Sequence, residues 1–248
     1  MDWAGAITSA AASRWKPIEA KTFVHKWGTA SQPVALICSD GQEHVVKGPQ
    51  VQRMAVNDHV VARLGHLLGA PIPEICLVNV PDELIKINPQ MLPMVAGVGH
   101  GSKRVPDVTE RVDPIQHLDA GDNRTRFAAL AVLYGWIGSN DRQFLYGKAD
   151  PWAVWSVDHG HFFPGGPNWT VASLAGGGST GPEPGLKADC KLVAADLAPI
   201  KARLSTVTAD LIAEIVAGPP DEWGITLAER VALGQYLDSR RVEMLSAI

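Results

Sequence analysis

The chain has 248 residues, 46% hydrophobic and 19% charged, with 22 Lys and Arg against 26 Asp and Glu for a net charge of −4. That length suits one large domain or two lobes on a shared core, and the charge balance leaves no broad basic field for a nucleic-acid backbone. Three scattered cysteines (Cys38, Cys76 and Cys190) exclude a disulfide framework and a four-thiolate zinc site. No run of about 18 apolar residues is present to span a bilayer, and the opening Met-Asp-Trp-Ala-Gly-Ala does not read as a signal peptide. A cytoplasmic protein without a nucleic-acid or membrane partner is the expectation.

Residues 1–20, Ala/Ser-rich from Ile7 to Ser13, read as an arm or short helix. Three strands with tight connections follow: Thr22–Trp27, Pro33–Cys38 and His44–Lys47, separated by Gly28-Thr29-Ala30-Ser31 and Ser39-Asp40-Gly41. They predict an antiparallel meander. Val51, Met54, Ala55, Asp58, Val61, Leu64, Leu67 and Leu68 recur at helical spacing, and Gly69 closes that helix. Ile75–Val80 and Glu83–Ile87 read as two more strands, completing a β-rich lobe over 21–90.

The stretch from Pro89 to Pro114, with Gly97, Gly99 and Gly101, reads as loop. A strong helix is expected from Asp122 or Asn123 to Ile137, with Phe127, Leu130, Ala131, Tyr134 and Ile137 on one face. Strands Gln143–Tyr146 and Ala153–Val157 form a hairpin joined by Gly147–Pro151, and the Gly/Pro-rich stretch 164–186 reads as a surface loop. That loop holds Ser173, Ser179 and Thr180 as candidate modification sites. Helices are expected at Leu186–Leu204, Ala209–Ala217 and Leu227–Ala247, the last opened by a Thr226-x-x-Glu229 capping box. Residues 91–248 are thus a mainly helical lobe carrying a hairpin at 140–160.

Four features bear on chemistry. Lys47 ends an apolar strand 11 residues before Asp58 on the next helix. That pairing suits a cation meant to grip phosphate oxygens, though a strand-end lysine can equally stand in solvent. The small residues Gly28–Ser31 let backbone N–H groups approach an anion, or form a plain hairpin turn. Asp141, in Ser139-Asn140-Asp141-Arg142-Gln143, is placed to accept a hydroxyl proton or to end a helix. Asp158, in Asp158-His159-Gly160-His161, is a plausible Mg²⁺ ligand at a strand end. Its neighbours also permit a transition-metal cluster of Asp158, His159 and His161 joined by His100, as in a metal-dependent hydrolase. A Ser/His/Asp hydrolase lacks the Gly-x-Ser-x-Gly elbow it would need.

Taken in order, these pieces resemble the HipA-like kinases, a bacterial branch of the protein-kinase and phosphatidylinositol-kinase superfamily. The residues that carry the resemblance are Gly28-Thr29-Ala30-Ser31-Gln32-Pro33, Val45-Val46-Lys47, Asn57-Asp58 with Ala62-Arg63-Leu64, and Leu68-Gly69-Ala70-Pro71-Ile72-Pro73-Glu74. Gly99-His100-Gly101-Ser102, Asn140-Asp141-Arg142 and Val157-Asp158-His159-Gly160 continue it, and the tail with Pro220-x-x-Trp223-Gly224 matches only loosely. The resemblance implies an α+β, two-lobed protein-kinase-like fold, with a small antiparallel β lobe carrying one helix and a larger, mainly helical lobe.

It further implies ATP and Mg²⁺ as cofactors and a protein Ser/Thr or small-molecule hydroxyl as acceptor. Lys47 would bind the phosphates and pair with Asp58, Asp141 would be catalytic, and Asp158 would hold magnesium. Gly28 and Ser31 would cover the phosphates, and adenine would lie near Glu83–Pro89. The superfamily carries Asn five residues after the catalytic Asp. Here that place is Tyr146, with Asn140 and Gln143 nearest to supply the oxygen. The same departure suggests the alternative of a pseudokinase, a nucleotide-binding regulatory or scaffold module.

Overall fold

The computed structural model describes residues 1–109, 115–148, 152–178 and 180–248. The end of the expected loop before Pro114, part of the Gly147–Pro151 turn and Ser179 lie outside them. The chain opens with helix α1 (Trp3–Ala11), then strands β1 (Ile18–Lys26), β2 (Val34–Cys38) and β3 (Glu43–Lys47). These three pair antiparallel in sequence, as the tight turns require. Helix α2 (Arg53–Leu68) follows and stops at Gly69, whose φ of 68° supplies the left-handed cap. Strand β4 (Ile75–Val80), helix α3 (Asp82–Ile87) and strand β5 (Gly97–Lys103) complete the smaller lobe. Its sheet closes in the order β1-β2-β3-β5-β4. All pairings are antiparallel except the last, where Ile18 and Glu19 meet Val78 and Asn79 in parallel.

Two expectations for this lobe are corrected. Glu83–Ile87 is helical: Asp82 and Glu83 stand in the first turn, where acidic side chains complement the helix dipole. The glycine-rich stretch read as loop is strand β5, so the sheet runs past residue 90 to Lys103. Its glycines serve close approach, since a Cβ on Gly99 would meet the Lys47 carbonyl at 2.7 Å.

The larger lobe is built on helix α4 (Asn123–Ile137), which is buried on nearly every side. Strands β6 (Phe144–Tyr146) and β7 (Val154–Ser156) form the expected hairpin. Helices α5 (Val171–Ala175), α6 (Pro184–Asp189), α7 (Ala194–Ser205), α8 (Ala209–Ala217) and α9 (Leu227–Ala247) complete the chain. The stretch read as a long loop therefore contains α5, capped reciprocally by Thr170 and Ser173. The single helix expected over 186–204 is two, separated at Lys191, whose φ is 47°.

Two apolar clusters hold the fold. One fills the barrel with Val34, Leu36, Val46, Val78 and Val80, closed below by Met91 and Met94. The other surrounds α4 and takes in the apolar side of α2 (Val56, Val60, Leu64 and Leu68). Helix α2 therefore belongs to the large-lobe core while its Asp58 side faces the barrel, and this double allegiance positions the site. No helix among the described residues is long and apolar enough to cross a membrane.

Candidate active site

Alternation along β3 sends His44 and Val46 toward the barrel interior and leaves Val45 and Lys47 lining a cleft of about 580 Å³ between the lobes. Lys47 is buried, and its Nζ lies 2.7 Å from Asp58 Oδ2 and 2.6 Å from Asp158 Oδ1. Burial opposes the ammonium charge, but the two carboxylates outweigh it and hold the Lys47 pKa above its ordinary value. Asp58 is shorter than a glutamate, yet it reaches Lys47 from α2, which packs against the neighbouring strand β5. Its other oxygen accepts the backbone N–H of His159 at 2.7 Å, so one carboxylate ties lysine and Asp158 loop together.

That loop leaves β7 through a tight turn. Asp158 has φ of 61°, a left-handed conformation that Asp tolerates better than most residues. Gly160 then passes against α2, where a Cβ would sit 3.1 Å from Met54 Cβ and 3.4 Å from Asp58 Oδ2. His159 is buried with Nε2 2.7 Å from Ser156 Oγ, which is itself 2.5 Å from the Tyr134 hydroxyl. Burial pushes the His159 pKa down to about 4 and that of His100, opposite Lys47 on β5, down to about 3. Both are neutral imidazoles at physiological pH.

His161 is exposed while His159 turns inward to Ser156, so the histidines do not converge with Asp158. Among the described residues no three His, Cys, Asp or Glu side chains gather into a metal-holding group.

Asp141 sits on the loop between α4 and β6, partly exposed, and Gln143 Nε2 donates to its Oδ2 at 2.6 Å. Gln143 is buried and lines the cleft, as does Leu145. Asn140 turns the other way: its Nδ2 donates to the carbonyls of His161 and Phe163, fixing the segment after Asp158. Gly28 is at an exposed hairpin position, and Ser31 lines a neighbouring cavity. From that hairpin, Thr29 lines the cleft itself. The cleft's rear wall is Ser102–Val105 with Ile72 and Ile75, and Glu83–Pro89 do not line it. The segment expected to border adenine thus stands apart from the cleft, whose edge is formed by the end of the glycine-rich strand and the chain leaving it, not by α3.

One residue had no role in the sequence reading. Asn57, fully buried, donates from Nδ2 to the carbonyls of Gly160 (2.8 Å), Phe162 (3.1 Å) and Gly166 (3.4 Å) and accepts from Trp169 Nε1 at 2.9 Å. The available signal was its place beside Asp58 inside a helix otherwise rich in valine.

A model of the HipA-like kinase family matches residues 26–160, more than half of the chain. The chain belongs to the HipA-like kinase family. The match runs from the end of β1 to Gly160, so it takes in Lys47, Asp58, Asp141 and Asp158.

Among solved structures, this HipA-like chain is similar to the Helicobacter pylori proinflammatory kinase CtkA at TM-score 0.56 and 12% identity, over 93% of this chain and 96% of that one. A Golgi casein kinase aligns at TM-score 0.46 and 10% identity, over 99% of this chain and 76% of that one. A search of curated proteins finds no match. The CtkA likeness shows a kinase fold.

The loop after Asp141 is short. Only Arg142 and Gln143 separate Asp141 from β6. Strand alternation then turns Phe144 and Tyr146 into the core, where the Tyr146 hydroxyl accepts from Gln116 N–H at 2.9 Å. Tyr146, five residues after Asp141, therefore faces the core and does not line the cleft.

Proposed function

We propose that this HipA-like kinase transfers a phosphoryl group from ATP with Mg²⁺ to the hydroxyl of a protein Ser/Thr or of a small molecule. The observation that carries this reading is Lys47 held between Asp58 and Asp158 within a cleft that Gln143 also lines, with Asp141 hydrogen-bonded to Gln143. Two carboxylates to one ammonium leave that cluster with a formal charge of −1, complementary to a divalent cation. The available oxygens, carboxylate and carboxamide, suit a hard ion that keeps phosphate oxygens in its shell.

ATP with Mg²⁺, when bound, supplies the transferable phosphoryl group and neutralises its charge. Lys47 grips phosphate oxygens, with Asp58 holding the ammonium in place. Asp158 and Gln143 offer oxygens to the cation, and the hairpin carrying Gly28, Thr29 and Ser31 covers the phosphates. Asp141 accepts the proton of the acceptor hydroxyl, oriented by the Gln143 amide. The apolar wall of Ile72, Ile75 and Val105 receives the base.

The short loop after Asp141 favours a second reading, a nucleotide-binding pseudokinase. Calorimetric titration with ATP, with and without Mg²⁺, followed by mass spectrometry after incubation with cell extract, separates them. Expected are Mg²⁺-enhanced binding, lost in Asp158→Ala, and phosphate transfer that falls about 10²–10⁴-fold in Asp141→Asn with ATP affinity kept. Binding without any transfer decides for the pseudokinase, and no nucleotide binding removes both readings.

A further inference from the structure

A second cavity, about 670 Å³, adjoins the cleft beneath the tip of the same β1–β2 hairpin. Thr29 and Pro33 line the cleft, whereas Ala30, Ser31 and Gln32 line the second cavity. Its remaining walls are the segment opening α2, Gln50–Met54, Pro93, and the stretch Pro167–Thr170. Met54 packs against Gly160, two residues beyond Asp158, so the cavity borders the end of the cleft where Lys47 and Asp158 stand.

The lining carries one cation, Arg53, no carboxylate, and the amides of Gln32, Gln50, Gln52 and Asn168. The Arg53 guanidinium stacks 4.3 Å over the Trp169 ring and pairs through Nη2 with Glu229, which approaches from α9 outside the cavity. Its Nη1 is buried and has no hydrogen-bond partner. A guanidinium N–H without an acceptor is costly, and a ligand oxygen relieves that cost once the side chain, one-fifth exposed, turns Nη1 toward the cavity. Gln32 and Gln52 hold φ of 42° and 45°, left-handed values that gather at ligand sites because the surrounding structure must impose them.

We propose that this cavity is an anion site that receives a phosphate or carboxylate group of the phosphoacceptor, with Arg53 as its main contact. The word phosphoacceptor rests on the phosphotransfer reading; the anion site does not. A guanidinium stacked on an indole keeps its plane when it turns, and its planar array of donors matches both groups. The site would select acceptors with an acidic or phosphorylated moiety beside the reacting hydroxyl.

The test uses the full chain saturated with Mg²⁺ and a non-hydrolysable ATP analogue, titrated calorimetrically with O-phosphoserine and separately with N-acetylaspartate. Saturable binding of one or both is expected, and the stronger names the group. It should weaken at least tenfold in Arg53→Gln and in Gln50→Glu, with analogue affinity unchanged in both. The second variant is isosteric, leaves the Glu229 pair intact, and decides the matter if Arg53→Gln does not fold. Absence of saturable binding to wild type, or binding unchanged in the folded variants, overturns the proposal. If the analogue itself does not bind while phosphoserine binds in an Arg53-dependent way, the phosphotransfer reading falls and the anion site stands.

Discussion

Lys47 is the residue on which the cleft turns, because its ammonium is the shared counter-charge of two carboxylates from distant parts of the chain. Replacing it with Met leaves Asp58 buried beside Asp158 with nothing between them. Breaking a buried pair in this way typically costs about 3–5 kcal/mol. Partial exposure of Asp158 puts this case at the lower end. Urea denaturation of Lys47→Met should show that loss together with loss of nucleotide affinity.

The histidines add a pH dependence whose sign follows from burial. His159 and His100 have folded-state pKa values depressed to about 4 and about 3, below the ordinary 6.5. The unfolded chain therefore takes up protons first. Stability is whole above about pH 6.5 and declines as pH falls toward the folded values, by about 2 kcal/mol per imidazole at pH 5. Comparing urea midpoints at pH 7 and pH 5 checks this. In His159→Gln the acid slope should be shallower, and an unchanged slope would show that His159 does not contribute.

At the scale of elements, α2 is the part that connects everything at the site. One turn of it carries Asn57 toward the segment 160–169 and Asp58 toward Lys47 and the His159 amide. Asn57→Ala would strand three carbonyls and the Trp169 indole, a loss of about 3 kcal/mol. It should open residues 160–170 to limited proteolysis well before the barrel unfolds, and equal cleavage in both proteins would refute the clamp.

Hairpin β6–β7 sets the other rim through its register. Because Tyr146 faces the core, Tyr146→Asn should cost about 3 kcal/mol or more by cavity formation and an unpaired amide. Magnesium titration should show no gain in that variant. A gain would mean that position 146 reaches the cleft after all.

At the scale of the molecule, the C-terminal third fastens the barrel to the helical lobe. Trp223 is fully buried and its Nε1 donates to the Val98 carbonyl of β5 at 2.7 Å, while Glu222 accepts from Val98 N–H at 2.8 Å. From the other end of the chain, Arg14 donates to the Ala217 carbonyl and to Asp221. Trp223→Ala should lower stability by about 3–5 kcal/mol. Trp223→Phe, keeping most of the ring but losing the hydrogen bond, should cost about 1 kcal/mol. Similar losses in the two variants would contradict a role for the Val98 contact.

By itself the sequence determined the periodic elements: the meander β1–β3, helices α2, α4, α8 and α9, and the order of Lys47, Asp58, Asp141 and Asp158 along the chain. These are legible because hydrophobic period, capping residues and turn glycines act over a few neighbours. The tertiary structure alone decided the rest. Gly97–Lys103 is a strand because β3 and β4 lie against it on either side, and glycine content cannot announce partners elsewhere in the chain. Tyr146 faces the core because β6 begins at Phe144, which no residue count reveals. Asn57 grips carbonyls more than a hundred residues downstream, and Lys47 meets Asp158 across 111. Such contacts depend on how packed elements are placed in space, and that placement is not written in any local stretch of chain.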